Sequence, residues 1–420
     1  MQNKIKLFIY TSIGISLPFL IRTTLFEYNI RNISSPYATI YLHSLDIIFL
    51  IAILFFYWKT KKLPFSDIKN VDKLWITLFS LIFLQLFWVK YPLLTWVSGM
   101  RFYLGLALIW YISIFRYLAR DLKYTINGLF IGMLAQAIIV IAQFGLQKNL
   151  GLPLVVEPAL SNSIAGVAKI DIFNSTFIRA YGTFPHPNIL GYVGILALIL
   201  VYAHKLGKKL SIIIYSATII IAGFIDHYIL TSIQAFGISI LTAAYLLYTR
   251  LNGFGQVFSK FIILILHTVI LLSFSKTAIA LLLPLDFVYL TRLTQKSLFH
   301  VEQFQRILKS LPRFFVNAMS VSGIIFLWTI PYSQLIDTIT KRFLYLQDAI
   351  QMIGYNLFFG VGLGQYVVNL SDNRELWQYE PVHNIFLLLF SELGMFVFIL
   401  LIVILCIECY TYLYGYKKQR

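Results

Sequence analysis

Charge is scarce in this sequence. Only 12% of its 420 residues are Asp, Glu, Lys or Arg, about half the share found in soluble domains. Cysteine is scarcer still: the two cysteines, Cys406 and Cys409, sit together near the end of the last apolar run. That excludes a disulfide framework, and the Cys-x-x-Cys spacing has neither a second pair nor a nearby His to complete a zinc site. The chain also lacks a polar block long enough for a water-soluble core, a low-complexity tract and a repeat of fixed period. What remains is apolar, with 59% hydrophobic residues and a mean hydropathy of +0.79. Water is not the main solvent of such a chain, and residues 1–420 read as a single integral membrane domain.

Apolar runs of the length a bilayer requires, about 20 residues, recur from end to end. The expected spans are 5–21, 40–58, 74–89, 93–115, 126–146, 188–203, 210–225, 229–249, 261–274, 277–291, 314–330 and 384–414. The expected fold is therefore all-α, a polytopic transmembrane bundle of about 12 helices. The first run has the basic flank of a signal peptide but no small-residue cleavage site, so it reads as the first helix. Placing Lys4 and Lys6 in the cytoplasm puts Lys59/Lys61/Lys62/Lys69/Lys73, Arg116/Arg120/Lys123, Lys205/Lys208/Lys209, Arg250/Lys260, Arg292/Lys296/Arg306/Lys309/Arg313 and Lys417/Lys418/Arg420 on the same side. The positive-inside rule is then met at every cytoplasmic loop, and both termini are cytoplasmic. Topology and attraction to anionic lipid account for the net charge of +17, and no nucleic-acid partner is needed to explain it.

Two long segments fall on the external side, 147–187 and 331–383, and long loops are where function concentrates. The first ends in Arg179-Ala-Tyr-Gly-Thr-Phe-Pro-His-Pro-Asn188. A guanidinium keeps its proton and offers a planar fork to phosphate or carboxylate oxygens, so Arg179 is a candidate diphosphate ligand; the alternative is an arginine snorkelling to lipid headgroups. Pro185, Pro187 and Asn188 read as a turn followed by an N-cap, which would set His186 and the positive end of a helix beside Arg179. The second loop carries Gly360, Gly362 and Gly364, whose spacing lacks the strand-turn-helix context of a nucleotide site and reads as tight turns. It ends in Tyr379-Glu-Pro-Val-His-Asn-Ile-Phe386, with His383 at the mouth of the last helix and Asn384 as a candidate N-cap. A neutral imidazole is the usual general base near pH 7, and an interfacial hydrogen-bonded histidine is the alternative. Lys276 interrupts an apolar region and Arg101 lies inside the fourth span, with Asp46 as a possible partner. Glu392, about two turns below His383, either orients a reacting group or satisfies a helix contact. Asp226-His227 reads as an external turn.

Together these segments resemble the bacterial O-antigen ligase and O-antigen polymerase superfamily of membrane glycosyltransferases. The resemblance is carried by Arg179 to Asn188 before a helix, by Ser275-Lys-Thr-Ala278 where the family often has Ser-Arg-Gly, by Asn356-Leu-Phe-Phe-Gly-Val-Gly362, and by His383-Asn-Ile-Phe-Leu387 followed by Glu392-Leu-Gly394. It covers residues 170–410. It implies a metal-independent inverting transferase, without cofactor, in the bacterial cytoplasmic membrane. Such an enzyme moves a glycan from a polyprenyl (undecaprenyl) diphosphate to a lipid, glycan or protein acceptor on the outer face, in polysaccharide or lipopolysaccharide synthesis for the cell envelope. Carried over, Arg179 and Lys276 become diphosphate ligands, His383 the catalytic residue, and His186, Asn188, Asn384 and Glu392 their supports; Arg101, outside that region, is a further candidate diphosphate ligand. Lys276 departs from the family's arginine and gives up the bidentate fork. A lipid-linked glycan flippase or transporter and a non-catalytic scaffold of an assembly complex are the alternatives; the related halves usual in transporters are not seen.

Overall fold

The computed structural model describes residues 2–19, 21–30, 33–62, 70–114, 122–152, 159–164, 167–172, 175–206, 208–225, 238–239, 241–242, 256–297, 332–371 and 379–415. Of these, 70% are helical, in eleven α-helices. In chain order the elements are α1 (Gln2–Ser16), β1 (Arg22–Ile30), β2 (Ile33–His43), α2 (Ser44–Thr60), α3 (Asn70–Leu84), α4 (Pro92–Ile114), α5 (Leu122–Leu146), β3 (Lys169–Ile172), β4 (Ser175–Ile178), α6 (Pro187–Leu206), α7 (Lys208–Ile225), α8 (Gln256–Leu272), α9 (Lys276–Ser297), α10 (Tyr332–Tyr355) and α11 (Ile385–Gly415). Among the described residues two stretches, Leu122–Leu146 and Ile385–Ile404, are long and apolar enough to cross a membrane; Ser44–Phe55, Lys73–Phe87, Pro187–Ala203, Leu210–Ile219 and Phe261–Leu272 are apolar but shorter. The expected span 314–330, nearly all of 229–249, and Asp226-His227 lie outside the described residues.

Two antiparallel hairpins, β1–β2 and β3–β4, add strands to what an all-α reading expects. The helices and hairpins form two compact units, Met1–Ile21 with Phe115–Thr340, and Arg22–Ile114 with Lys341–Arg420.

In the first unit α1 lies against α5 with backbones nearly touching. A Cβ on Gly14 would stand 1.9 Å from the Thr125 carbonyl oxygen, and one on Gly128 would stand 2.1 Å from that of Thr11. Close approach through glycine is how helices pack when dispersion, and not water exclusion, must hold them. α6 is buried along the whole of 189–203, as expected of a helix that is apolar all round. α7, α8 and α9 pack against it.

In the second unit the β1–β2 hairpin covers the start of α4. Ala38 and Ile40 pack on Leu94 and Val368, with Tyr28 and Tyr91 closing the cluster. The expected external loop 331–383 begins as the 24-residue helix α10. Tyr345, Ala349 and Met352, spaced as one helical face, bury against Val361, Tyr366 and Val382, while Phe343, Leu344 and Ile350 are exposed beside the charged and amide side chains. α11 is broken at Gly394, whose φ of 72° and ψ of 170° are not helical.

Candidate functional site

The segment that carries Arg179 leaves β4 and has no regular backbone partners of its own, so side chains supply them. Two glutamines of α5, Gln136 and Gln143, and Gln147 just past its end do this. Gln147 accepts the N–H of Ile178 at 2.6 Å. Gln143 accepts those of Tyr181 and Gly182 at 3.2 and 2.8 Å and donates to the Gly182 carbonyl at 2.8 Å. Gln136 accepts the N–H of Thr183 at 3.1 Å and donates to its hydroxyl at 2.6 Å. An amide both donates and accepts, so each can close a turn without introducing charge. The backbone N–H groups of Arg179 and Ala180 donate to the carbonyls of Ala168 and Leu272. The loop is thereby pinned between α5 and the end of α8.

Held in this way, the half-buried Arg179 reaches two turns. Its Nε donates to the Ser273 carbonyl at 2.9 Å and its Nη2 to Asn188 Oδ1 at 2.7 Å. Ser273 precedes the turn into α9, where Ser275 Oγ caps the helix by accepting the N–H of Ala278 at 3.3 Å and the exposed Lys276 is the first helical residue. One guanidinium therefore ties together the starts of α6 and α9. The cap of α6 is His186, whose Nδ1 accepts the N–H of Asn188 at 3.1 Å, not Asn188 as the sequence suggests. Pro187 suits the first helical position, which needs no N–H; the helix begins one residue earlier, and the Asn188 side chain is released to Arg179. Tyr181 packs edge-on to His186 at 6.2 Å. Burial raises the pKa of its hydroxyl, against the opposing effects of the bond from Ala168 and the Arg179 charge.

Arg101, His383, Asn384 and Glu392 belong to the second unit. Arg101 meets Asp46, with Nε at 3.0 Å from Oδ1 and Nη2 at 2.8 Å from Oδ2, and also donates to the Tyr41 carbonyl. Asp46 in turn accepts the His43 N–H at 3.1 Å at the start of α2. Arg101 therefore joins α2 to α4 through the partner anticipated for it, and that pairing occupies the fork expected to hold diphosphate. Asn384 caps α11, its Oδ1 accepting the N–H groups of Phe386 and Leu387 at 2.9 and 3.2 Å. His383 lies edge-on to Tyr345 with ring centroids 5.1 Å apart. Burial, and then the nearby Arg342 charge, lower its pKa to about 4. Glu380 at 3.8 Å would favour the imidazolium, but its side chain is 36% exposed and water weakens that attraction. His383 is thus neutral at pH 7 and a weak base, better suited to accept a hydrogen bond than to hold a proton.

Glu392 does not orient His383. It lies buried under the glycine-rich turn, where its Oε1 accepts the Tyr366 N–H at 3.2 Å and its carboxyl also takes the N–H of Gly364. Gln85 closes the same turn, donating to the carbonyls of Phe359 and Glu392, each at 2.9 Å, and accepting the Leu363 N–H at 3.2 Å.

Comparison with protein-family models, with curated proteins and with solved structures finds no match for this chain. Among the described residues no group of three or more His, Cys, Asp or Glu side chains is placed to hold a metal ion.

One polar cluster has no counterpart in the sequence reading. Asp286 of α9 accepts the Tyr202 hydroxyl of α6 at 2.7 Å and meets His267 Nε2 of α8 at 2.8 Å, and Tyr289 stacks on Tyr202 at 3.7 Å. The signal was available: an Asp and a His interrupt two apolar helices, where an ionisable group needs a partner.

Proposed function

We propose that this chain is a multi-pass protein of the bacterial cytoplasmic membrane, with both termini in the cytoplasm, that transfers a glycan from a polyprenyl diphosphate to a lipid, glycan or protein acceptor on the outer face. The observation that carries the reading is the bridge made by Arg179. It joins Asn188 and Ser273, and so brings close two segments, Arg179 to Asn188 and Ser275 to Ala278, that the resemblance implies are parts of one anion site. Arg179 and Lys276 then supply positive charge where two helix N-termini add partial charge of the same sign. In the transfer step the acceptor oxygen bonds to the anomeric carbon as the carbon–oxygen bond to the diphosphate breaks. The bonding electrons leave on the diphosphate, whose charge these cations stabilise. The proton of the acceptor hydroxyl passes to solvent or to the released diphosphate.

The test is transfer of a labelled glycan from a polyprenyl-diphosphate donor in proteoliposomes. Arg179→Lys keeps the charge and loses the fork, and should lower turnover about 100-fold, within the range seen for losing an oriented transition-state donor. Normal turnover in Arg179→Ala would overturn the reading and leave Arg179 as a headgroup contact.

A second reading, movement of a lipid-linked glycan or another solute, is favoured by the Tyr202–Asp286–His267 cluster between α6, α8 and α9, because ionisable relays inside apolar helices are a feature of transporters. Asp286→Asn separates the two readings: it should abolish transport in liposomes if the protein is a carrier, and should leave glycan transfer intact if it is a transferase.

A further inference from the structure

Two helices of the second unit differ in how much of a bilayer they can fill. The apolar stretch Ile385–Ile404 of α11 has 20 residues, about 30 Å as helix, which equals the thickness of a hydrocarbon core. The apolar stretch that begins in α3, Lys73–Phe87, is about 22 Å long and falls short of it. Where that stretch stops, the chain leaving α10 is packed. Trp88 meets Phe359 edge-on at 5.6 Å, and Gln85 Nε2 donates to the Phe359 carbonyl at 2.9 Å.

The same piece of chain is bonded to the middle of the α11 stretch. The Val361 N–H donates to the Ser391 carbonyl, the Gly362 N–H to that of Glu392, and the Met395 N–H to that of Leu357. Counted along the helix, these partners lie about 9–15 Å below Ile385. Non-helical backbone is tolerated at such depth where protein satisfies its polar groups. Here it does: every backbone N–H from Gly360 to Tyr366 has an acceptor. Besides those of Val361 and Gly362, Gly360 donates to the Asn356 carbonyl and Gln365 to that of Gly362. Leu363 donates to Gln85 Oε1, and Gly364 and Tyr366 donate to the Glu392 carboxyl group. The composition agrees, since residues 349–371 include no Asp, Glu, Lys or Arg.

The rings beside this turn continue an exposed apolar face. Phe396, Ile399 and Val403 of α11 are exposed and spaced as one helical stripe, while Val397, Leu401 and Ile404 are buried. On an apolar span such a stripe meets acyl chains, which are as apolar as leucine. Phe358 stacks on Phe396 with centroids 5.5 Å apart, and Phe359 packs on it at 6.1 Å. Phe359 is itself 61% exposed, and Phe87, at the end of the short stretch, 85%. An exposed patch of this kind marks a contact surface.

We infer that residues 356–362 re-enter the bilayer from the outer side and that Phe358 and Phe359 rest against lipid acyl chains there. The occupant follows from continuity, because both rings lie directly on the first ring of the α11 stripe. α10 then leads down into the membrane, and the turn after it fills the level that the short apolar stretch leaves open. Re-entry needs α11 to span, so the inference rests on the multi-pass reading.

The test places a nitroxide on the full chain in nanodiscs, in a Cys406→Ser, Cys409→Ser background, at Phe358→Cys, Phe359→Cys, Ile399→Cys or Ser163→Cys. Ile399 is the lipid reference and the exposed Ser163 the aqueous one. Collision is measured with oxygen, which enters lipid, and with a hydrated nickel chelate, which stays in water. Nickel collision at the two phenylalanine sites should match that at Ile399 and fall about tenfold or more below that at Ser163, the exclusion expected of a group that must shed its water. Nickel collision equal to that at Ser163 would put the turn in water and overturn re-entry. Low collision with both probes would mean that protein, such as a second copy of the chain, covers the rings, and would overturn the lipid contact. Nickel collision at Ile399 as high as at Ser163 would sink the spanning helix, and the multi-pass reading with it.

Discussion

The two units solve one problem in different ways. Each must hold an irregular segment, residues 179–183 in the first and 359–366 in the second. The first does so with neutral amides, Gln136 and Gln143 on α5 and Gln147 just past its end. The second uses one amide, Gln85, and one carboxyl group, Glu392, beneath a turn whose glycines Gly360, Gly362 and Gly364 have φ of 66°, 102° and 78°. The contact that fixes each glycine differs. A Cβ on Gly182 would stand 2.4 Å from Gln136 Oε1, the end of a side chain, whereas one on Gly360 would stand 2.3 Å from the Glu392 carbonyl oxygen, which is main chain. What this teaches is which clamp can yield: an amide side chain can turn aside, and a backbone cannot.

The largest effect should come from breaking the close clamp. Gly360→Ala combines a left-handed backbone with a clash against main-chain atoms, and should cost more than about 3 kcal/mol, read as loss of the folded peak in thermal unfolding followed by size exclusion. Next, Gln143→Leu strips partners from two N–H groups and one carbonyl and should cost about 2–4 kcal/mol, whereas Glu392→Gln keeps an acceptor for Tyr366 and should cost about 1 kcal/mol. If Glu392→Gln proves the costlier of the two, the contrast between amide and carboxyl clamps fails.

Acid sharpens the comparison further. The pKa of His383 is lowered in the folded protein to about 4 from 6.5, so the unfolded chain takes up its proton first as pH falls. The stability His383 contributes is fully present above pH 6.5 and is lost on the way to pH 4, by about 2–3 kcal/mol. His383→Asn should lack that loss, and matched unfolding curves at pH 8 and 4 would reveal it. A wild type no more acid-sensitive than His383→Asn would show that the imidazole is solvated. The smallest effect is expected at Lys276. Lys276→Arg replaces one exposed cation by another, so turnover should change by about twofold or less and stability by under about 0.5 kcal/mol.

Much of the helical framework was legible because apolar length is a strong signal: the runs behind α5, α6 and α11 agree with expectation to within a few residues. Asn384 as a cap and Asp46 as the partner of Arg101 were also readable, since a helix start and a charge inside an apolar run each demand a particular neighbour. Other features were hidden by their own chemistry. The β1–β2 hairpin carries Thr, Phe and Tyr on strands whose irregular pairing between Thr24 and Phe26 and between Glu27 and Asn29 interrupts the period of two. α10 mixes its apolar residues with Asp337, Lys341, Arg342 and Asp348, which hold its hydropathy below that of a span. Gln136, Gln143 and Gln147 were visible as polar residues in or beside an apolar run, but what they hold lies 31–47 residues away in sequence, and periodicity carries no information at that range.

The break in α11 has a consequence for how the chain is made. Residues on both sides of Gly394 are hydrogen-bonded to the earlier segment: the Val361 N–H donates to the Ser391 carbonyl, the Gly362 N–H to that of Glu392, and the Met395 N–H to that of Leu357. The earlier strand of chain is thus spliced into the ladder of a helix synthesised after it. During synthesis the N–H groups of Val361 and Gly362 and the carbonyl of Leu357 must wait until the segment around 391–395 has left the ribosome. Assembly of the second unit is therefore ordered: its final helix completes the backbone of a turn that was made some thirty residues before.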